Sequence, residues 1–183
     1  MPDDLKAFLK AGEPPVFMTF GSTATLDTFL VETTRLMIEA VNLGNFRAVI
    51  QSRWEDLRGI PGNSSIYRMG FAPYQHIFPH CAVVVHHGGA GTTHLATRCG
   101  CPSVVVEHAL DQRIWGILLQ RRGLAPKPLH RRSLTPAKLA KAVRTVLESV
   151  EMADRAKAAG RAMAIENGIR KAQELIEERF VSK

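Results

Sequence analysis

With 183 residues, 45% apolar and 22% charged, the chain is long enough for one domain with a sound core and has the make-up of an ordinary globular protein. A formal charge of +7 suits a polyanionic ligand or an acidic membrane surface, but many basic residues follow Arg121 on predicted helix faces, and no nucleic-acid partner is inferred from them. Cys81, Cys99 and Cys101 make neither a C-x-x-C pair nor a disulfide framework, the first residues lack a signal peptide's apolar core, and no run approaches the ~20 apolar residues of a membrane span. The expected setting is reducing and cytoplasmic, with any membrane contact peripheral.

In chain order, Asp3 to Lys10 is predicted as a short helix with Leu5, Phe8 and Leu9 on one face, broken by Glu13-Pro14-Pro15. Val16 to Phe20 is the first strand and runs into a small-residue turn, Gly21-Ser22-Thr23. Leu26 to Val41 has helical periodicity and stops at Leu43-Gly44-Asn45. Arg47 to Gln51 and Ser65 to Met69 read as strands two and three, with a Pro61-Gly62-Asn63 turn between them. Gln75 to Phe78 reads as one helical turn.

The most informative stretch follows. The apolar run Ala82 to Val85 ends in His86 and His87; Gly88, Gly89 and Gly91 come next, and Thr92 and Thr93 open a short helix, Gly91 to Cys99. A buried strand feeding a glycine-rich turn and a helix N-terminus presents unpaired N–H groups and the positive end of the helix dipole, a ready anion site. The spacing is neither G-x-x-x-x-G-K-[ST] nor G-x-G-x-x-G, and no lysine ends the loop, so the reading is a diphosphate cradle rather than a triphosphate hydrolase. A tight turn that binds nothing is the plainer alternative. Because side chains alternate along a strand end, His86 is expected to face away from His87 and to be packed or bonded to a neighbour.

Ser103 to Val106 is strand five, Gln112 to Arg121 a helix, and Gly123 to Ala125 a minor strand or turn. Ser133-Leu134-Thr135-Pro136 starts a helix that continues from Ala137 to Leu147. Glu151 to Ile165 and Ile169 to Phe180 are two further helical patterns. This alternation predicts an α/β fold: a doubly wound, mostly parallel sheet with helices on both faces, a core over residues 14–149 and C-terminal helices over 150–183. If strands one and four are neighbours, as in the order 3-2-1-4-5-6, Ser22 and Gly89 face one crevice at the carboxyl ends of the strands.

Three segments, H-H-G-G-A-G-T-T (His86 to Thr93), G-C-P-S-V-V-V (Gly100 to Val106) and Asp111-Gln112, resemble the nucleotide-sugar signature of GT-B glycosyltransferases. The likeness is to bacterial and fungal enzymes acting on sterols, glycopeptide antibiotics and glycolipids, and runs from about Pro15 to Leu147. It implies two Rossmann-like domains, of which this chain resembles the C-terminal, donor-binding one over 1–183. The acceptor-binding domain, on the same or a separate polypeptide, would bring the catalytic base, which cannot be named here. A peripheral membrane or lipid acceptor would fit the resemblance.

Residue by residue, the resemblance implies that His87 donates to the diphosphate. Gly89, Ala90, Gly91 and Thr92 would give it backbone N–H groups, Thr92 its hydroxyl as well, and Ser22 would reach it from the other side. Asp111 and Gln112 would hold sugar hydroxyls, with a helix N-cap as the alternative for Asp111. Phe71 would stack on the base, or belong to the core, and Ala72 would pair with the base edge. Trp115 would line the sugar pocket or pack in the core, and Tyr74 is assigned little. The donor would be a UDP- or TDP-sugar. With no D-x-D pair in the sequence, no metal and no further cofactor are expected. The last helix, with Ile169, Leu175, Ile176 and Phe180, either docks on the missing domain or packs on its own. Two rival readings are a nucleotide-sugar epimerase half-domain, against which Asp111-Gln112 argues, and a non-catalytic nucleotide-binding or interaction module.

Overall fold

Six short strands carry the fold: β1 (Val16–Thr19), β2 (Ala48–Gln51), β3 (Ile66–Met69), β4 (Val83–His86), β5 (Ser103–Glu107) and β6 (Leu129–His130). They come from a computed structural model that describes residues 1–21, 27–52, 63–70, 73–109 and 111–180, without the side chains of 27–30. Ser22, Phe71 and Ala72 lie outside the described residues. All neighbouring strands pair in parallel, in the order β3-β2-β1-β4-β5-β6. This is the order considered above, in which strands one and four are neighbours. The strand order reverses between β1 and β4, where Thr19 pairs with His86. That register sets the carboxyl ends of the two central strands side by side, the place where such sheets take ligands.

Period-two alternation divides the core. Val16, Met18, Ala48, Ile50, Val83, Val85, Val104 and Val106 face one way, onto α2 (Asp27–Gly44) and α5 (Pro136–Leu147). Phe17, Val49 and Val84 face the other way, onto Leu5 and Leu9 of α1 (Asp3–Lys10) and Ala96 of α3 (Ala90–Arg98). Val105 meets Leu119 of α4 (Gln112–Arg121) and Ala156 of α6 (Val150–Ile165). Strands buried on both faces need continuous apolar runs, which V-V-V in β4 and β5 supply. Tyr74 belongs to this core: it stacks on Phe78 with ring centroids 5.1 Å apart and gives its hydroxyl to Gln51.

The start of α5 follows its sequence. Pro136 takes the first helical position, and Thr135 Oγ1 accepts the Lys138 N–H at 3.2 Å. Gly123 to Ala125 is a turn, with Gly123 at φ +67°, and the sixth strand lies beyond it. Two residues, held by Val106↔Leu129 and Glu107↔His130, are too few to show a period. The last helix, α7 (Gly168–Phe180), has no buried residue, and Ile169, Leu175, Ile176 and Phe180 are exposed. Among the described residues no helix is long and apolar enough to cross a membrane.

Candidate functional site

The site begins where β4 ends. His86 points into the face shared with Val84 and is fully buried, its Nδ1 accepting the Gly88 N–H at 3.1 Å. This neighbour bond is the role expected for it. The chain then turns through Gly88 at φ +90°, a conformation costly for residues with a Cβ, and Gly89 takes the N-cap of α3 in extended geometry. The first helical bond runs from the Thr93 N–H to the Gly89 carbonyl at 3.0 Å. The N–H groups of Ala90, Gly91 and Thr92, one turn earlier, meet no acceptor among the described residues. Gly91 is exposed, and nothing stands within 4 Å of where its Cβ would be. Unpaired amides at a helix head are what an anion receptor requires.

His87 leaves the strand on the opposite side from His86 and forms the wall of this patch. Its ring occupies the gap between two glycines: Cε1 lies 2.9 Å from where a Cβ on Gly21 would stand, and Nε2 2.4 Å from where one on Gly89 would. Gly21, at φ +60°, gives its N–H to Thr19 Oγ1 at 3.0 Å, so the last side chain of β1 shapes the turn that touches His87. Nε2 is the nitrogen on the Gly89 side, the one able to donate to a ligand on the amide patch. Nδ1 is buried and has no partner among the described residues.

The third component comes from the link between β5 and α4. Gln112 is buried, and its Oε1 accepts the N–H groups of His108 at 2.7 Å and Ala109 at 3.2 Å. It therefore shapes its own loop and keeps only its amide N–H groups for a ligand. Its backbone also touches the cradle, since a Cβ on Gly88 would stand 2.8 Å from Gln112 O. Asp111 is exposed at the N-cap of α4, yet its carboxylate makes no capping bond; Oδ2 accepts the Trp115 indole N–H at 3.1 Å. Trp115 is neither core nor free-standing, for the His94 ring of α3 meets it edge-on at 4.9 Å. Behind this loop the buried Glu107 pairs with Arg113 at 3.0 Å, at a cavity of about 200 Å³ also lined by His108 and His130.

His108 is a neighbour that the sequence did not disclose. Its ring meets Phe20 edge-on at 4.9 Å and faces His87 at 6.5 Å. Burial, then Arg131 and His87, push its pKa down to about 4. Burial also lowers His87, opposed by the nearby Asp111 carboxylate, which places Asp111 within electrostatic reach of the cradle wall. Among the described residues no group of three or more His, Cys, Asp and Glu could hold a metal ion. The structure thus gathers His87, Gly89, Ala90, Gly91, Thr92, Asp111 and Gln112 at one end of the sheet.

Burial, then His87, hold His86 at about 3 instead of its ordinary 6.5. Below pH 6.5 the unfolded chain takes a proton that the folded chain refuses until about pH 3, so acid destabilises the fold across this window. At pH 5 the loss from this one group is about 2 kcal/mol. Urea unfolding at pH 7 and pH 5 should show the wild type losing about that much more than His86→Asn, whose Oδ1 can replace Nδ1 as acceptor. Equal losses would rule out His86 as the acid-sensitive group.

Comparison with known proteins now adds to the geometry. The profile of a family described as "Erythromycin biosynthesis protein CIII-like, C-terminal domain" matches residues 36–176. The chain is 37% identical over 175 residues to the O-mycaminosyltylonolide 6-deoxyallosyltransferase of Streptomyces fradiae, covering 96% of this chain and 40% of that one. The fold matches Arabidopsis thaliana UGT89C1 complexed with UDP, with a TM-score of 0.78 at 20% identity, over 97% of this chain and 47% of that one. It also matches glycosyltransferase SsfS6 of Streptomyces sp. SF2575 complexed with thymidine diphosphate, with a TM-score of 0.72 at 24% identity, over 94% of this chain and 44% of that one. The chain therefore spans less than half the length of each of these three proteins.

Proposed function

This chain belongs to the family of erythromycin biosynthesis protein CIII-like C-terminal domains, and on that footing we propose that it is the donor-binding half of a metal-independent glycosyltransferase. The enzyme moves a hexosyl group from UDP or TDP to an acceptor hydroxyl. The observation that carries this reading is the set of amides at Ala90, Gly91 and Thr92, unpaired among the described residues, with the His87 ring against Gly89.

Glycosyl transfer leaves its charge on the departing diphosphate. Donors already aimed at that charge need no reorganisation as it develops, and losing one costs on the order of 3 kcal/mol in comparable sites. The head of α3 adds about 0.3–1 kcal/mol through its dipole. The diphosphate lies against Gly89, Ala90, Gly91 and Thr92, with His87 Nε2 donating; a further contact from Ser22 rests on the resemblance alone. The sugar hangs from Asp111 and from the side-chain amide of Gln112, and the roles of Phe71 and Ala72 at the base rest on the resemblance alone. The acceptor and the catalytic base come from a second, N-terminal half. The compartment is cytoplasmic, in keeping with free cysteines, of which Cys81 and Cys101 are buried.

Calorimetric titration of the chain with UDP, TDP, UDP-glucose and TDP-glucose tests this reading. Saturable binding of at least one nucleotide is expected, with the same Kd in EDTA as in Mg²⁺. A strict Mg²⁺ requirement would contradict a receptor built from amides and an imidazole, and no binding at all would remove the donor site.

A further inference from the structure

We propose that Trp115 is the positioning residue for Asp111, setting one carboxylate oxygen toward the donor sugar; this rests on the donor-site reading above. Asp at an N-cap ordinarily turns its carboxylate onto the helix's own free N–H groups. Asp111 makes no such bond. Its Oδ2 instead accepts the Trp115 indole N–H at 3.1 Å, one helical turn along. The indole is itself braced on one side, where the His94 ring of α3 meets it at 4.9 Å and an interplanar angle of 77°. The chain of contacts runs from the phosphate-facing helix, through His94 and Trp115, to Asp111.

The chemistry follows from counting lone pairs. An exposed aspartate is free to rotate and is solvated at both oxygens. Here Oδ2 is held, and Oδ1 remains to accept from a sugar hydroxyl in one orientation. Trp115 therefore acts on the sugar, not on the diphosphate, and favours donors that carry a hydroxyl at the position Oδ1 reaches. The indole N–H is the working group; the ring area is not.

Trp115→Phe keeps an aromatic ring, though a smaller one, and removes that N–H. Titrations should show UDP and TDP binding within about twofold of wild type, while the extra affinity of UDP-glucose or TDP-glucose over the bare diphosphate falls at least fivefold. Asp111→Asn should remove the same increment, and the double variant should lose no more than either single one. In ¹⁵N spectra the Trp115 indole resonance should move with UDP-glucose and with Asp111→Asn, but not with UDP.

Equal weakening of diphosphate and sugar-nucleotide in Trp115→Phe would overturn the proposal, since Trp115 would then support α3 instead. An unchanged sugar increment, or additive losses in the double variant, would overturn it as well. A wild type that binds UDP or TDP with no increment for the sugar would sink this proposal and leave the diphosphate site standing. A wild type that binds none of the four probes would sink both.

Discussion

Gly88→Ala should lower the stability of the fold by about 3 kcal/mol and abolish nucleotide binding. Two independent costs meet at this position. The backbone sits at φ +90°, outside the range that residues with a Cβ adopt readily. The added Cβ would also stand 2.8 Å from the Gln112 carbonyl oxygen and 2.9 Å from Val105 Cγ1. Neither obstacle is the free end of a long side chain: one is the backbone of α4's first turn, and the other is a methyl in the buried core. Relief requires the cradle and the Asp111-Gln112 turn to part. Gly91→Ala is the matched control, because its position has open space and lies within α3. Thermal unfolding should show a fall of about 6–12 °C for Gly88→Ala and none for Gly91→Ala. Equal midpoints would mean that the turn is not under this constraint.

His87→Ala is expected to weaken UDP and TDP binding at least tenfold while leaving the fold intact. A hydrogen bond to a charged group contributes about 1.5–3 kcal/mol, which is roughly 10- to 150-fold in Kd. The imidazole also packs between Gly21 and Gly89, so its removal frees the turn after β1 from the amide patch. The ring is only half-buried, and its loss leaves a solvent-filled notch rather than a sealed cavity. Calorimetry and circular dichroism melts on the same samples separate the two effects. Unchanged affinity would take His87 out of the site.

Much of the fold was legible because burial on both faces leaves a plain mark. Val83-Val84-Val85 and Val104-Val105-Val106 read as strands without reference to anything else, and Thr135-Pro136 reads as a helix start. The βα alternation pointed to a doubly wound sheet, and 3-2-1-4-5-6 was the order that would bring two small-residue turns to one crevice; the coordinates supplied the order itself. The sixth strand was not legible, since Leu129–His130 is shorter than any period. In the site, the glycine-rich turn and helix head could be read as an anion cradle because glycines and a strand-end register constrain geometry locally, whereas the separate roles of His87 and of Gly89 to Thr92 came from the resemblance. His108 could not: its place depends on Gln112 folding back to hold the loop, a tertiary contact with no sequence signal. The i,i+4 spacing of Asp111 and Trp115 was visible, but the usual habit of an N-cap aspartate pointed the carboxylate elsewhere. The exposed face of α7 was visible as an amphipathic pattern, and only coordinates showed that α7 buries none of its residues.

Three imidazoles crowd the carboxyl edge of the sheet, and burial lowers the pKa of His86, His87 and His108 alike. On the donor-site reading, this corner would hold an anion with oriented bond dipoles. Dipole fields fade faster with distance than those of full charges, so attraction there is short-ranged and depends on where each ligand oxygen sits. On the donor-site reading, such a receptor sorts its guests by shape more than by valence.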